Sequence, residues 1–212
     1  GGTYTLSSGD DGIHADVNAT ISGGNIDIAQ SYEGIEGLSI DITGGEIAVQ
    51  ASDDGMNAAG GNDSSGTEGF RGGGDQFSST DGAYINIAGG TLRVNASGDG
   101  IDSNGDVTVS GGETYVSGPT NDGNGTLDYS GIAQVTGGIF AASGSSGMAQ
   151  SFDSSSTQGV IMVNVDAQEA NTNIELLNSN GAELLNWTAE KQYSSIIVSC
   201  PEIEEGETYT VK

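Results

Sequence analysis

The chain has 212 residues, of which 30 are acidic and only four are basic, so its net charge is −26. So little positive charge leaves no surface that could replace the counterions of nucleic acid, so nucleic acid is excluded as a partner. Anionic membrane surfaces are disfavoured for the same reason. The single cysteine, Cys200, excludes an intrachain disulfide and cysteine-rich zinc sites. No apolar run approaches the ~20 residues of a membrane-spanning helix, so we expect no transmembrane segment.

Glycine pairs divide the chain into repeats. The pairs stand at 1–2, 23–24, 44–45, 89–90, 111–112 and 137–138, at intervals of 22, 21, 45, 22 and 26 residues. The polar, glycine-rich residues 62–80 explain the long interval as an insertion into one repeat. A period of about 22 residues is typical of a solenoid, in which each repeat packs only on its neighbours.

Each repeat predicts three short strands. Apolar and polar residues alternate on both sides of the glycine pair, as in Ile40 and Ile42 before residues 44–45 and Ile47 and Val49 after them. A third element follows an acidic residue and a glycine, as in the sequence DGM at 54–56. Three strands in this fixed order describe one coil. We therefore predict an all-β fold, a right-handed parallel β-helix of about six coils over residues 1–156.

The repeat stops near residue 157. Strand-like runs follow at 160–165, 173–177, 182–187 and 195–199, with a hairpin turn at 178–181. Because the open end of a coil stack would pair with other chains, we predict that residues 157–212 form a C-terminal antiparallel β cap.

Alignment of the third elements places acidic residues in two columns along the stack. The column before the glycine holds Asp11, Glu33, Asp54 and Asp99, and the column three residues later holds His14, Glu36, Asn57 and Asp102. Unit charges about 4.8 Å apart repel by roughly 1 kcal/mol in water and by more near a protein surface. No Lys or Arg occurs in the first 70 residues to neutralise them. Oxygen ligands suit Ca²⁺, whereas zinc would need more histidine or cysteine than one His14, so we predict Ca²⁺ as the cofactor. A solvated acidic face with diffuse counterions is the alternative.

Three further residues are candidates for contact with a substrate. Arg93 alternates with Leu92 and Val94 and therefore points outward, where it makes either a local ion pair or a contact to a sugar carboxylate. Arg71 lies in the insertion, which is either disordered or a lid over a groove. Tyr32 either stacks on a sugar ring or covers the coil.

Three motifs resemble the clostridial cellulose- and acid-sugar-binding β-helix family: SGDDGIHAD at 8–16, SYEGIEG at 31–37 and ASDDGMNA at 51–58. The ending at 202–211 is also similar to that of the family. The resemblance implies a calcium-binding, pectate-lyase-like fold exported by bacteria, which binds cellulose and pectin-like acidic sugars. Its implied calcium ligands are Asp10, Asp11, Asp16, Glu33, Glu36, Asp53 and Asp54, to which the first column adds Asp99.

The hypothesis that we favour is a monomeric, extracellular or cell-surface protein that binds calcium and plant cell-wall polysaccharide. A calcium-dependent polysaccharide lyase is one alternative, although its base would have to come from Arg71 or Arg93, and we expect no catalytic residue. A structural surface protein or adhesin, which needs no site, is the other.

Overall fold

The computed structural model describes residues 1–59 and 79–212, and every regular element in this part of the chain is a β-strand. None of the described residues forms a helix long and apolar enough to cross a membrane. The strands are β1 (Thr3–Ser7), β2 (Ile13–Ser31), β3 (Ile35–Ala51), β4 (Met56–Ala58), β5 (Tyr84–Ala96), β6 (Ile101–Ser103), β7 (Asp106–Val109), β8 (Glu113–Ser117), β9 (Asp128–Tyr129), β10 (Ala133–Val135), β11 (Ile139–Gly144), β12 (Val160–Gln168), β13 (Thr172–Asn178), β14 (Glu183–Ala189), β15 (Tyr193–Ser199) and β16 (Tyr209–Val211).

The chain winds into a β-solenoid of about six coils, as the repeat predicted, and each coil presents three faces. The first face carries the strands that follow the glycine pairs, at 3–7, 25–30, 46–51, 91–96, 113–117 and 139–144. The second carries the short strands after the acidic corner, at 13–15, 35–37, 56–58, 101–103 and 128–129. The third carries the strands before the next glycine pair, at 18–21, 39–42, 84–87, 106–109 and 133–135.

Parallel pairing in register stacks equivalent residues of successive coils. On the third face Ile40 pairs with Ile85, and on the first face Ile47 pairs with Leu92. All four side chains are buried, because alternate residues of each strand point into the narrow interior. The core is therefore a set of aliphatic columns, which explains why the chain folds with so few aromatic residues.

The glycine pairs form the corner between the third and first faces. The second glycine of each pair adopts a positive φ, for example +87° at Gly90 and +78° at Gly112. A Cβ atom on Gly112 would also lie 2.6 Å from the carbonyl oxygen of Gly90 on the coil before. This corner accepts only glycine, because the backbone conformation is left-handed and the coils approach closely there.

The last coil is closed by a cap of antiparallel strands, as predicted. Strand β15 pairs antiparallel with β11 of the last coil and with β12, which extends the first face. A separate three-stranded antiparallel sheet, in the order β14-β13-β16, packs over these strands. The hairpin predicted at 178–181 joins β13 to β14, with Gly181 at φ +79°. Trp187 and Cys200 are buried in a second hydrophobic core, which belongs largely to the cap.

Candidate metal centre

The corner between the first and second faces carries a double row of polar side chains, which we call the acidic ridge. One row contains Asp11, Glu33, Asp54 and Asp99, and the other contains His14, Glu36, Asn57, Asp102 and Asp128. Strand pairing between successive coils holds the residues of the second row in register, in that order. The structure thus brings both predicted columns together on one edge of the solenoid.

Glycines between the two rows bring the backbone of this corner against the core. A Cβ atom on Gly34, Gly55 or Gly100 would lie 2.2, 2.1 or 2.4 Å from the nearest methyl carbon of a valine on the first face. Only glycine therefore fits between the acidic residue and the core residue that follows it. The close approach draws the acidic side chains on both sides into the protein surface.

Burial makes the charge of the ridge costly. Glu36 is completely buried, and Glu33 and Asp99 are 4% and 8% exposed. Acidic side chains are rarely buried this far unless they are paired. Within the described residues, His14 is the one basic side chain that lies within salt-bridge distance of a ridge carboxylate. His14 is therefore the basic partner that the described residues provide for the ridge.

Asp54, Asp99 and Asp102 form the first of two clusters, which we call the oxygen cluster. One carboxylate oxygen from each lies within 4.8 Å of the others. Asp54 Oδ1 accepts a hydrogen bond from the backbone N–H of Asp99 at 2.6 Å, and Asp99 Oδ1 accepts one from Gly125 N–H at 2.5 Å. These bonds fix two carboxylates so that they face each other across neighbouring coils.

The pKa values of the three carboxyl groups in the oxygen cluster are raised. Burial, followed by the charges of Asp99 and Asp102, raises the pKa of Asp54 well above its usual value. Burial raises the pKa of Asp99 to about 6. Burial and the charge of Asp99 raise the pKa of Asp102 to about 7. The three carboxylates resist being ionised together, because burial disfavours their charged forms and like charges repel.

Gly98 leaves room for two carboxylates beside the oxygen cluster. A Cβ atom on Gly98 would lie 2.3 Å from Asp54 Oδ1 and 2.5 Å from Asp53 Oδ1. Asp53 therefore stands next to the cluster, where a missing side chain makes space for both acids. The hydroxyl of Tyr32, on the coil before, also hydrogen-bonds to Asp53.

The second group, which we call the histidine cluster, lies at the N-terminal end of the ridge. His14 Nδ1 stands 3.2 Å from Asp11 Oδ2 and makes a short contact with Glu36 Oε2, while Nε2 lies 3.3 Å from Asp16 Oδ1. The hydrogen bond to Glu36 is the main cause that raises the pKa of His14 to about 9. An imidazole thus takes the place that a carboxylate or amide has on the later coils.

Two buried oxygens of the ridge have no hydrogen-bond partner in the described part of the chain, namely Asp11 Oδ1 and Asn57 Oδ1. The amide nitrogen of Asn57 donates to Glu33 Oε1 at 2.9 Å, so the free oxygen is the other arm of a fixed group. A buried acceptor without a donor is destabilising, and a cation would satisfy it. This donor set of carboxylate and amide oxygens fits Ca²⁺.

The structure therefore brings only some of the predicted metal ligands together. Asp54 and Asp99 lie in the oxygen cluster, with Asp53 beside it, and Asp11 and Glu36 lie in the histidine cluster, with Glu33 between the two. Asp10 and Asp16 are exposed at the margin of the ridge.

Two acids of the ridge were missing from the predicted ligand set. Asp102 belonged to the predicted second column. Asp128 pairs with Asp102, but the chain before it reads Gly125-Thr126-Leu127, so the acidic-glycine signal is absent there.

A shallow groove lies beside the ridge on the first face. It has a volume of about 300 Å³, and its polar lining includes Asp27, Gln50, Arg93, Asn95 and Glu190. As predicted, Arg93 points outward. Its guanidinium carbon lies 4.5 Å from the centre of the Tyr115 ring, which holds the cation in place.

A second basic residue, which the sequence did not single out, reaches the same strand. Lys191 Nζ donates to the carbonyl oxygen of Ala96, and burial lowers the pKa of this lysine to about 8. Of the three Lys and Arg side chains in the described residues, Arg93 therefore lies on β5 and Lys191 contacts this strand. The predicted substrate residue Tyr32 is 37% exposed on the ridge, and Arg71 lies outside the described residues.

A larger open cavity of about 750 Å³ lies between the last coil and the C-terminal segment. Its charged lining consists of Glu204, Glu205 and Glu207, and the Tyr209 hydroxyl there already donates to Glu202 O. It contains neither cluster of the ridge, so size alone does not identify the functional site.

Comparison with protein-family models, curated proteins and solved structures gives no match to this chain. The family resemblance of the three motifs therefore stays a prediction, and the function has to be argued from the ridge and the groove.

Proposed function

We propose that this chain is a calcium-binding β-solenoid that binds acidic polysaccharide. The observation that carries the proposal is the convergence of Asp54, Asp99 and Asp102 within 4.8 Å. Ca²⁺ binds oxygens at about 2.3–2.6 Å, so two ligands on opposite sides of one ion stand about 5 Å apart. The span of the cluster matches that distance.

Calcium suits this corner better than magnesium. Its ligands come from two coils and are held by backbone hydrogen bonds, so they do not form a regular octahedron of short bonds. Ca²⁺ accepts six to eight oxygens in loose geometry, whereas Mg²⁺ demands near-ideal octahedral geometry. A bound ion would hold the three carboxylates ionised at neutral pH, and water would complete its coordination.

Calorimetric titration of metal-stripped protein with Ca²⁺ tests the first half of the proposal. Asp102→Asn should weaken binding at least tenfold, because it removes one charged ligand and leaves the backbone pairing in place. Asp166→Asn is the matched control, since Asp166 is exposed on β12 and should bind like the wild type. Equal affinity in all three proteins would contradict calcium binding at the oxygen cluster.

The groove supports the second half of the proposal. Arg93 offers a guanidinium to a sugar carboxylate, and Gln50 and Asn95 offer amides to hydroxyl groups. Glu190 Oε2 accepts from Asn95 Nδ2 at 2.8 Å, which orients that amide. A protein of net charge −26 repels a polyuronate, so bound Ca²⁺ near the groove should favour the interaction by inverting the local charge.

Sedimentation with insoluble polygalacturonate in Ca²⁺ tests this half. Arg93→Gln should reduce binding about tenfold, whereas Lys212→Gln, which removes the same charge at the chain end, should not. Chelator should abolish binding. Retention of Arg93→Gln at the wild-type level would contradict the groove.

The same mixtures distinguish a binder from a lyase. Lys191 is the base that the structure adds to the lyase alternative, because its lowered pKa leaves part of it neutral near pH 8. We expect no unsaturated product by ultraviolet absorbance. Product that forms with the wild type and is lost in Lys191→Gln would replace the binding proposal with the lyase.

A further inference from the structure

We propose that Asp11, His14 and Glu36 form a second metal site, which binds a divalent transition metal such as Zn²⁺ rather than Ca²⁺. The single histidine argues against zinc for the ridge as a whole. The structure, however, confines that histidine to one end, where it meets two carboxylates. The histidine cluster and the oxygen cluster therefore offer different donors and can be tested separately.

The spacing of the His14 and Asp11 donors fits tetrahedral coordination. Bonds of about 2.0–2.1 Å from zinc to nitrogen and oxygen place neighbouring ligand atoms about 3.3 Å apart. His14 Nδ1 and Asp11 Oδ2 are 3.2 Å apart. Glu36 Oε2 is in contact with the same ring nitrogen, and one ligand atom from each of the three residues lies within 4.8 Å of the others.

The other side of the imidazole is also arranged as in a metal site. His14 Nε2 lies 3.3 Å from Asp16 Oδ1. A histidine that binds metal through one ring nitrogen usually donates its other N–H to a carboxylate or carbonyl, which fixes the ring and its tautomer. Asp16 takes this part, and His14 therefore presents Nδ1 to the two buried acids.

A second observation points to a missing ligand. The Asp11 side chain is 8% exposed, and its Oδ1 is buried without a hydrogen-bond partner in the described residues. A protonated imidazole alone would occupy only Asp11 Oδ2. A metal ion can accept both oxygens of the carboxylate, so it accounts for the atom that the ion pair leaves unsatisfied. Because the His14 side chain is 41% exposed, the remaining coordination position opens to solvent.

The experiment uses the full chain without a histidine tag, saturated with Ca²⁺, and titrates Zn²⁺ by calorimetry. We expect one Zn²⁺ per chain. His14→Gln should weaken binding at least a hundredfold. Asp16→Asn should weaken it about tenfold, which is the usual effect of losing the partner that orients a metal-binding histidine.

Two controls separate this site from other ligands. Cys200→Ser should bind Zn²⁺ normally, because that thiol is buried in the cap. Asp102→Asn should weaken Ca²⁺ binding and leave Zn²⁺ binding unchanged, whereas His14→Gln should weaken Zn²⁺ binding and leave Ca²⁺ binding unchanged. The calcium proposal for the oxygen cluster and the zinc proposal for the histidine cluster can therefore be refuted independently of each other.

The imidazole signals provide a test that does not depend on a variant. His14 is the only histidine of the chain, so nitrogen NMR of the imidazole reports on one ring. Zn²⁺ should shift Nδ1 far more than Nε2, and Co²⁺ should give the visible absorption of a low-coordinate ion. Zn²⁺ affinity that is unchanged in His14→Gln, or imidazole signals that do not respond to Zn²⁺, would overturn the proposal.

Discussion

Replacement of Asp99 by Asn should make the metal-free protein more stable and remove its response to calcium. Asp99 is 8% exposed and belongs to the oxygen cluster. Burial lifts its pKa from 3.8 to about 6. Because a tenfold change in an equilibrium constant is worth about 1.4 kcal/mol, its ionised form is destabilised by about 3 kcal/mol in the folded protein at pH 8.

Asparagine removes that charge but keeps the carbonyl oxygen that accepts from Gly125 N–H. It also buries an amide N–H₂, which costs part of the gain. In chelator at pH 8 we therefore expect Asp99→Asn to raise the free energy of unfolding by about 1–2 kcal/mol. In Ca²⁺ at a hundred times the dissociation constant, the wild type should gain about 2.7 kcal/mol by mass action and the variant should gain little. The order of stability should thus reverse.

Urea unfolding provides the assay, followed by circular dichroism for the coils and by fluorescence of the single tryptophan, Trp187, for the cap. Both probes are needed because coils and cap can unfold separately. Asp166→Asn is again the control and should leave the free energy of unfolding unchanged both in chelator and in Ca²⁺. The reasoning would be refuted if Asp99→Asn were less stable than the wild type in chelator, or if it kept the full stabilisation by Ca²⁺.

Three further predictions follow from the ridge and the coils. Gly98→Ala should weaken Ca²⁺ binding severalfold by calorimetry, because its Cβ would displace Asp53 and Asp54, whereas Gly9→Ala, which has open space around it, should bind normally. Because the raised pKa values of the oxygen cluster favour the protonated forms, the metal-free protein should lose stability as pH rises from 5 to 8, and a flat thermal melting profile over this range would contradict those shifts. Replacement of the insertion at residues 62–80 by a short Gly-Ser linker should leave circular dichroism and melting temperature nearly unchanged, because Met56 pairs directly with Ile101 across the insertion. An insoluble product would show that the segment is part of the core.

The coils could be predicted from the sequence because each feature repeats. A glycine pair, an inward residue such as Ile42 two positions before it, and an acidic-glycine step recur at one spacing, so the register of one coil predicts the next. The two acidic columns follow from that register without any knowledge of contacts. The register does not identify what the two columns bind, so calcium, polysaccharide and export remain predictions.

The remaining features depend on departures from the repeat. Asp128 escaped notice because Thr126 stands where the earlier coils have glycine. Lys191 reaches β5 only because the cap folds back onto this strand, and its contact with Ala96 joins residues 95 apart in sequence. Periodicity carries no information about such a contact. The division of the ridge into two clusters likewise depends on side-chain hydrogen bonds, such as that from Asn57 to Glu33.

The oxygen cluster has a mechanical consequence, because its members stand on opposite sides of the insertion. Asp54 precedes residues 62–80 and Asp99 follows them, 45 positions along the chain. An ion shared by these two carboxylates would cross-link the chain on both sides of the insertion, and the entropic cost of closing a chain segment rises only slowly with its length. The segment between them could then be lengthened, shortened or exchanged with little penalty. The shared ion would hold neighbouring coils together at the position where the insertion interrupts the repeat.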